Sequence, residues 1–351
     1  MLQIIRDPEL YRNPVAFVKD CIGVEWRKPG AKKPVFLFPT QTLLEYWEEQ
    51  LLPAFGSWGG ARFLLMDALV RDILAETRPE LTELSPGNSI LLLRLVIDDL
   101  GREGKIPYLA QAFPAPGFYE DLRQEIILLK RAALDPPAFA QLVKDANQPL
   151  QELALVFGKY QETLKHHHLA DPEEKIRLAT IESQKAFCWQ KIEQLWVIGF
   201  TDFTAQQEAF LKQISSLISV NIVFDHRIAA HKGLPLPTIR HGQKKAEIRK
   251  RYPQEGVKSG STLAYLQQAL WAKDPLPSEV KADTSVKLLK IKGGYRYELA
   301  AIACEIQRSL AADPTLTPDQ IGIITAYPVD KVYQILSATG LPLTVQISTP
   351  L

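Results

Sequence analysis

The sequence has little cysteine and no long hydrophobic run, and these two features exclude some classes of protein. Its three cysteines, Cys21, Cys188 and Cys304, are far apart and odd in number, so they exclude a disulfide scaffold and lack metal-type pairing. This usage fits a reducing compartment. No stretch approaches the roughly 20 consecutive apolar residues of a membrane helix, and the N-terminus does not have the pattern of a signal peptide. The sequence therefore predicts a soluble, cytoplasmic protein with no membrane partner.

The sequence also has no large excess of positive charge. It contains 41 basic and 40 acidic side chains, so its formal net charge is +1. Any binding of nucleic acid must then come from a local basic region. Residues 225–258 form such a region, with nine Lys and Arg against three Asp and Glu. A solvated loop or helix fits the same composition, and the sequence leaves both interpretations open. The candidate phosphate-binding side chains in this basic segment are Arg240, Lys244, Lys245, Arg249, Lys250 and Arg251.

Alternating strand-like and helix-like segments predict an α/β protein. Short apolar runs at 35–38, 62–66, 195–200 and 220–224 are typical of buried parallel strands. A helix follows the first run, and Pro53 is expected to end it. A Thr-x-x-Gln capping box at Thr204 opens another helix. The predicted domains are a core at 1–66 and 185–225, a helical insertion at 67–184, a basic linker with a helix at 226–285 and part of a second α/β domain at 286–351.

Two further regions carry specific predictions of secondary structure. Residues 67–184 show amphipathic helical patterns and no strand signal, which predicts an all-helical insertion. In the second α/β domain, strands are predicted at 286–291, 321–325 and near 343–347, with helices between them.

Motifs that could carry catalysis have simpler explanations. The segment 256–262 resembles a phosphate-binding loop, but it has one residue too few and its Lys precedes the second Gly, so it is predicted to be a linker. Three successive histidines, His166 to His168, cannot converge on one metal from a helix and indicate a solvated helix end. Pairs of acidic residues are assigned to polar helix faces: Glu48 and Glu49, Asp98 and Asp99, Glu173 and Glu174.

The segment Val197-Ile-Gly-Phe-Thr-Asp-Phe-Thr-Ala-Gln-Gln207 resembles the N-terminal half of the AddB family, which belongs to bacterial ATP-dependent helicase–nucleases. Other landmarks resemble that family in the same order, and the resemblance spans nearly the whole chain. It implies a P-loop NTPase-like parallel sheet with a large helical insertion, followed by part of a second helicase-like domain. The further landmarks are Phe36-Leu-Phe-Pro-Thr-Gln41, Leu169-Ala-Asp-Pro-Glu-Glu174, Tyr297-Glu-Leu-Ala-Ala-Ile-Ala303, and Gly340-Leu-Pro-Leu343 followed by Pro350-Leu351.

The sequence departs from the family pattern where a nucleotide should bind. After the first strand the chain reads Arg6, Asp7 and onward without the glycines or the Lys-Ser/Thr pair of a P-loop. The acid expected at the end of the Walker-B-type strand is Ile198, a hydrocarbon that cannot hold Mg²⁺. The family's nuclease domain and cluster cysteines would lie beyond residue 351, so the chain is expected to be a truncated protein or an N-terminal fragment. ATP and Mg²⁺ binding are therefore predicted to be lost.

The resemblance, taken together with these departures from the family pattern, implies a catalytically inactive, DNA-binding scaffold of a double-strand-break repair and recombination complex. Single-stranded or forked DNA and an AddA-type motor subunit are the implied partners. By the same resemblance, Thr40 and Gln41 are candidates for contact with DNA after the second strand, although Thr40 is equally explained as a helix N-cap. Two alternatives stay open: a protein–protein scaffold that docks the motor subunit through the inserted helices, and a helicase or nuclease subunit with an atypical nucleotide site.

Overall fold

The structure is a computed structural model that divides into two compact units, Met1–Gln254 and Glu255–Leu351. Each unit is described by itself. The described residues are 2–6, 13–19, 30–56, 61–112, 117–200, 202–224, 249–250, 262, 286–325 and 329–341.

The first unit is built on a six-stranded sheet in which every pair of neighbouring strands is parallel. Two further strands of two residues each pair with one another outside it. The predicted α/β fold with a parallel sheet is confirmed. The strands are β1 (Leu2–Arg6), β2 (Lys33–Phe38), β3 (Arg62–Leu65), β4 (Thr82–Glu83), β5 (Leu169–Ala170), β6 (Ile192–Ile198), β7 (Ser219–Phe224) and β8 (Arg249–Lys250). Their order in the large sheet is β3-β2-β6-β7-β1-β8.

Both faces of the sheet are covered, which explains why its strands are apolar runs rather than alternating patterns. Within β2, Val35 and Leu37 belong to one hydrophobic cluster, and Phe36 and Phe38 belong to the cluster on the other face. The helices that pack on the sheet are α1 (Pro14–Phe17), α2 (Gln41–Phe55), α3 (Met66–Thr77), α9 (Pro172–Glu182) and α10 (Ala205–Ile214).

Helix α2 runs beyond the residue expected to end it. The prediction for Pro53 is wrong, because the helix continues to Phe55. Proline removes one backbone donor from the helix, but buried Phe55 anchors the last turn. Gly56 then takes the left-handed conformation, with φ at 71°, and its N–H donates to the Leu52 carbonyl at 2.8 Å.

Between β3 and β6, residues 86–166 form a helical insertion with its own core, whereas α3 and α9, which also lie within the predicted bounds of 67–184, pack on the sheet. Leu93, Val156, Phe157, Tyr160 and Leu164 are almost fully buried in that core. The expectation of no strand here is wrong at one place, where β4 and β5 pair in parallel. The helices of this region not yet given are α4 (Pro86–Arg102), α5 (Pro107–Ala112), α6 (Phe118–Arg131), α7 (Pro136–Leu142) and α8 (Gln148–His166), and two 3₁₀ turns follow α9 at Ser183–Lys185 and Phe187–Lys191.

A buried lysine joins the insertion to the core. Lys175 Nζ in α9 donates to Asp67 Oδ1 in α3 at 2.8 Å and to Glu83 Oε1 in β4 at 2.9 Å. Burial alone would lower the pKa of Lys175, but the hydrogen bonds to both carboxylates outweigh it and raise that pKa. The lysine therefore stays charged and ties three elements together.

The second unit contains two packed helices, α11 (Tyr295–Ala312) and α12 (Val329–Ser337), and a 3₁₀ turn at Pro318–Gln320. Leu299, Ala303, Val332 and Leu336 form its small buried cluster. The prediction of strands at 286–291 and 321–325 is wrong, since these described residues have no strand conformation. An apolar run becomes a strand only with a neighbour for its backbone groups, and the predicted neighbour at 343–347 lies outside the described residues.

No helix in the described part of the chain combines the length and the apolar character needed to cross a membrane.

Candidate functional site

The sheet topology marks one crevice as the candidate site. Strands β2 and β6 are neighbours, yet the chain leaves β2 toward β3 and leaves β6 toward β7, on opposite sides. Open α/β sheets bind ligands at the carboxyl ends of the strands at such a reversal. The loops after β2 and β6 therefore form the centre of the site, which we call the carboxyl edge.

The strand register places the carboxyl ends of the central strands side by side along one edge of the sheet. Leu37 pairs with Val197, Ile198 pairs with Val223, and Arg6 pairs with Phe224. The end of β1, where a phosphate-binding loop was expected, thus lies on the same edge as β2 and β6. Asp7, the other residue of the predicted degenerate nucleotide site, lies outside the described residues.

The loop after β2 supplies a helix cap and an exposed amide. Thr40 is the N-cap of α2, and its Oγ1 accepts the N–H of Leu43 at 3.3 Å. The structure thus places Thr40 in the role that the alternative interpretation gave it. Gln41 is exposed, and its Nε2 donates to Glu45 Oε1 at 3.0 Å. Of the two, Gln41 has the side chain that faces solvent at the carboxyl edge.

The loop after β6 carries a hydrophobic residue and an aromatic pair. Ile198 is fully buried in the cluster that packs α1 and α2 on the sheet. Gly199 follows with φ at 83°, a conformation that favours glycine. The rings of Phe200 and Phe203 then stack with centroids 5.1 Å apart. The predicted capping box at Thr204 closes the loop and is confirmed.

This aromatic pair was not among the predicted site residues. Phe200 is buried and Phe203 is half-buried, at the edge where a ligand would lie. Aromatic rings are common platforms for bases of single-stranded nucleic acid. The sequence signal that could have identified the pair is the repeated Phe-Thr in the motif that carries the family resemblance.

The helix after β1 offers few backbone donors. Asn13 caps α1, and its Oδ1 accepts the N–H of Ala16 at 2.9 Å. Pro14 at the first helical position has no N–H. A phosphate at a helix N-terminus depends on these amides, so the start of α1 lacks one donor and uses another internally.

The basic segment meets the sheet at its last strand. Arg249 pairs with Ile5 and Lys250 pairs with Arg6 in parallel register. These two residues were predicted in a loop or helix, and the structure instead makes them a short strand beside β1. It brings the backbones of Arg6, Arg249 and Lys250 together at the carboxyl edge. The remaining candidates, Arg240, Lys244, Lys245 and Arg251, lie outside the described residues.

The acidic pair in α9 does not lie on a polar face, so that prediction is wrong. Glu173 and Glu174 are both buried. Arg131 Nε donates to Glu173 Oε1 at 3.2 Å, and Arg177 Nη2 donates to Glu174 Oε1 at 2.5 Å. The first turn of α9 packs between other helices of the insertion, and ion pairing allows its carboxylates to be buried there.

The other two acidic pairs and the histidine run agree with the solvated interpretation in large part. Glu49 and Asp99 are exposed, while Glu48 and Asp98 are half-buried. Helix α8 ends at His166, and His167 is its exposed C-cap. Over the part of the chain that the structure describes, no group of three His, Cys, Asp or Glu side chains is arranged to hold a metal ion.

The insertion is not uniformly polar on its surface. Leu91 and Leu95 lie one turn apart on α4 and are 59% and 60% exposed. Residues at this spacing share a helix face. The face that they form is apolar and points to solvent in the described structure.

Together, the parallel sheet with its reversal at the carboxyl edge and the helical insertion define an α/β protein with a parallel sheet and inserted helices. The family model described as "ADDB, N-terminal" matches residues 28–232. The chain belongs to this family, which confirms the resemblance seen in the sequence.

Curated relatives agree with the family assignment. The B subunit of the ATP-dependent helicase/deoxyribonuclease of Thermoanaerobacter sp. (strain X514) is 26% identical over 151 residues, which is 40% of this chain and 12% of the relative. The protein of the same description from Caldanaerobacter subterraneus subsp. tengcongensis is 24% identical over 150 residues, with the same shares. The matched region thus spans 12% of the length of these relatives.

Proposed function

We propose that this chain is the helicase-like N-terminal module of an AddB-type protein in a helicase–deoxyribonuclease complex that processes double-strand breaks. In this role it binds single-stranded or forked DNA passively, and an AddA-type partner subunit supplies the motor. The observation that carries the proposal is the carboxyl edge of the sheet, which combines basic residues with a poor site for a triphosphate. Membership of the AddB N-terminal family gives that edge its biological context.

Three features of the carboxyl edge support the loss of ATP and Mg²⁺ binding. The residues after Arg6 lack the glycines that let a backbone wrap phosphates. The start of α1 has a proline and a capped amide where free N–H groups are needed. Ile198 contributes hydrocarbon to the core where a carboxylate would hold Mg²⁺ or its water.

Charge and register support the binding of DNA at the same edge. The basic segment at 225–258 reaches the sheet through Arg249 and Lys250, which pair with the end of β1. Phosphate contacts from Lys and Arg provide sequence-independent affinity. Gln41 is exposed on the same edge and supplies a polar contact, and half-buried Phe203, whose ring stacks on the buried Phe200, supplies an aromatic contact for an unpaired strand.

Reversing the charge of Lys244, Lys245, Arg249 and Lys250 to Glu is expected to weaken DNA binding at least about tenfold at low salt, because four phosphate contacts are lost. The salt dependence should also flatten, by roughly 0.7 in log–log slope for each lost contact with a single strand. Fluorescence anisotropy of labelled single-stranded and forked oligonucleotides measures both quantities.

A control variant carries the same change in charge elsewhere. Four exposed residues of the insertion and its connecting loops serve this purpose when they are replaced by Glu: Arg94, Arg102, Lys105 and Lys144. The control should keep most of the affinity. Undetectable binding by the unmodified chain at low salt, or equal losses in both variants, would contradict the proposal.

The apolar face of α4 supports a second candidate function, the docking of the motor subunit. Leu91 and Leu95 expose more than half of their side chains to solvent, and exposed apolar surface often marks an interaction site. Replacing both with Lys is expected to weaken association with an AddA-type subunit while DNA binding and the free energy of unfolding stay unchanged. Analytical ultracentrifugation of the mixed subunits measures the association. The control is Leu142→Lys on α7, because Leu142 is also exposed, at 68%. Equal association of the motor subunit with all variants would rule out docking at this face of α4.

A further inference from the structure

The segment that leads into helix α11 of the second unit exposes positive charge only. Residues 286–297 contain no acidic side chain, and their basic residues are Lys287, Lys290, Lys292 and Arg296. Of these, Lys287 pairs with Glu305. Lys290 and Lys292 are exposed, and neither forms an ion pair within the part of the chain that the structure describes. The segment therefore has cations that are available to an anionic partner.

Tyr297, in the first turn of α11, adds an exposed aromatic ring to this segment. The residue is 67% exposed. Its ring packs against Gly293, where a Cβ atom would lie only 2.6 Å from Tyr297 Cδ2. A side chain at position 293 would therefore displace the ring. Tyr297 is thus open to solvent and is also held in place by the backbone of the glycine.

The cations lie next to this ring in the chain. Lys292 directly precedes the glycine that Tyr297 contacts, and Arg296 directly precedes Tyr297 itself. A further cation comes from α12, because Lys331 Nζ lies 5.6 Å from the centre of the Tyr295 ring. A hydrogen bond from Arg296, with smaller contributions from the charges of Arg296 and Lys331, lowers the pKa of Tyr295. Arg296 and Lys331 therefore both lie beside Tyr295 at the start of α11.

Cations beside an exposed aromatic ring match the chemistry of a single-stranded nucleic acid. Lys and Arg side chains bind its phosphates without regard to sequence. Aromatic rings stack on its unpaired bases. An acidic polypeptide would use the charges but would give the ring no base to stack on, so the combination favours a nucleic acid.

We propose that the start of α11, with Lys290, Lys292, Arg296 and Tyr297, is a second contact surface for single-stranded DNA. The three cations bind phosphates, and an unpaired base stacks on the ring of Tyr297. This inference rests on the binding of DNA proposed above, but it uses residues outside both the carboxyl edge and the basic segment.

Replacing Lys290, Lys292 and Arg296 with Glu in the full chain is expected to weaken the binding of labelled oligothymidylate at least about fivefold at low salt, because three phosphate contacts are lost. The log–log slope of affinity against salt should fall by roughly 2. Fluorescence anisotropy measures both quantities. A control with the same change in charge replaces three exposed residues of the first unit with Glu and should keep most of the affinity: Arg94, Lys105 and Lys144.

Variants of Tyr297 test the stacking separately. Tyr297→Ala should weaken the binding of oligothymidylate at least about fivefold, whereas Tyr297→Phe keeps the ring and should bind as the unmodified chain does. On a strand of equal length built from abasic sites, Tyr297→Ala should cause no loss, because there is no base to stack. The control is Tyr108→Ala on α5, at a residue that is 51% exposed, and it should leave both affinities unchanged. Circular dichroism melting verifies that each variant is folded.

The outcomes separate this inference from the function proposed above. Undetectable binding of DNA by the unmodified chain would contradict both. Unchanged affinity in the folded triple variant, with a loss in the variant of Lys244, Lys245, Arg249 and Lys250, would overturn this inference alone. It would also be overturned if Tyr297→Ala had no effect, or had equal effects on the thymidylate and abasic strands. Polyglutamate that binds as tightly as the oligonucleotide, and loses its affinity in the triple variant, would assign the surface to an acidic polypeptide instead.

Discussion

Replacing Lys130 with Met is expected to lower the free energy of unfolding of the first unit by about 3–5 kcal/mol, because it leaves a buried carboxylate without its counter-charge. Lys130 and Asp171 are each 5% exposed. Lys130 Nζ donates to Asp171 Oδ2 at 2.6 Å, between α6 and the start of α9. This contact joins α6 to α9, as the ion pair between Arg131 and Glu173 also does.

The other groups around Asp171 depend on that charge balance. Tyr160 donates its hydroxyl hydrogen to Asp171 Oδ2 at 3.1 Å. Burial first, and then the negative charge of Asp171, raise the pKa of Tyr160, so its hydroxyl stays protonated and acts as a donor. Asp171 Oδ1 accepts the N–H of Glu174 at 2.8 Å as the N-cap of α9. Loss of Lys130 therefore leaves the carboxylate hydrogen-bonded but not neutralised.

Urea denaturation followed by tryptophan fluorescence measures this effect, since five of the six tryptophans lie in residues 1–254. Adding Asp171→Asn to Lys130→Met removes the unpaired charge and keeps a helix cap, so the double variant should recover part of the loss. Lys159→Met, at an exposed ion pair on α8, should change stability by less than about 1 kcal/mol. Two results would contradict this description of the network. One is a loss of less than about 1 kcal/mol in the free energy of unfolding of Lys130→Met. The other is a double variant whose loss equals the sum of the losses in the two single variants.

Replacing Ile198 with Asp is expected to cost more than about 4 kcal/mol, because it removes buried hydrocarbon and places a carboxyl group in the core. Ile198 is fully buried with Phe38, Trp196 and Val223 around the end of β6. The variant restores the residue type expected for Mg²⁺ binding in a P-loop enzyme. No ATP hydrolysis should appear, because the loop after Arg6 still lacks its phosphate-binding residues.

The effect should depend on pH in a defined direction. Burial raises the pKa of a carboxyl group above its unfolded value of about 3.9. The folded variant then binds a proton that the unfolded chain releases, so stability falls as the pH rises from about 5 to about 8. Denaturation at both values measures this slope, and Ile198→Val, which keeps the hydrocarbon, should cost only about 0.5–1.5 kcal/mol. A stable Ile198→Asp protein that hydrolyses ATP would show that a carboxylate belongs at this position.

The sequence predicted the parts of the fold that rest on continuous local patterns. The strands at β2, β3, β6 and β7 are apolar runs because both faces of the sheet are covered. The helices within 67–184 were predicted from amphipathic patterns, and the capping box at Thr204 from two side chains of the right spacing. In each case, the residues that determine the structure are close together in the chain.

The errors in the fold arise where distant contacts decide the structure. Strands β4 and β5 have two residues each and leave no pattern. Burial of Glu173 and Glu174 depends on Arg131 and Arg177, and no spacing rule predicts the contact with Arg131. Pro53 stays inside α2 because Phe55 is held by tertiary packing.

The sequence identified several residues of the candidate site, but it did not predict how they are arranged in space. Ile198 and Thr40 were identified from the sequence, and the structure shows one in the core and the other as a helix cap. That Arg249 and Lys250 pair beside β1 could not be predicted, since strand order is a property of the whole sheet. The roles of Gln41 and the basic residues in binding DNA stay predictions.

The most direct test of a passive DNA-binding module is a salt titration of single-stranded DNA binding with and without MgATP. Passive binding predicts that the logarithm of the affinity falls linearly with the logarithm of the salt concentration, and that the two lines coincide. A change in DNA affinity on adding MgATP, or consumption of ATP by the chain alone, would contradict the account.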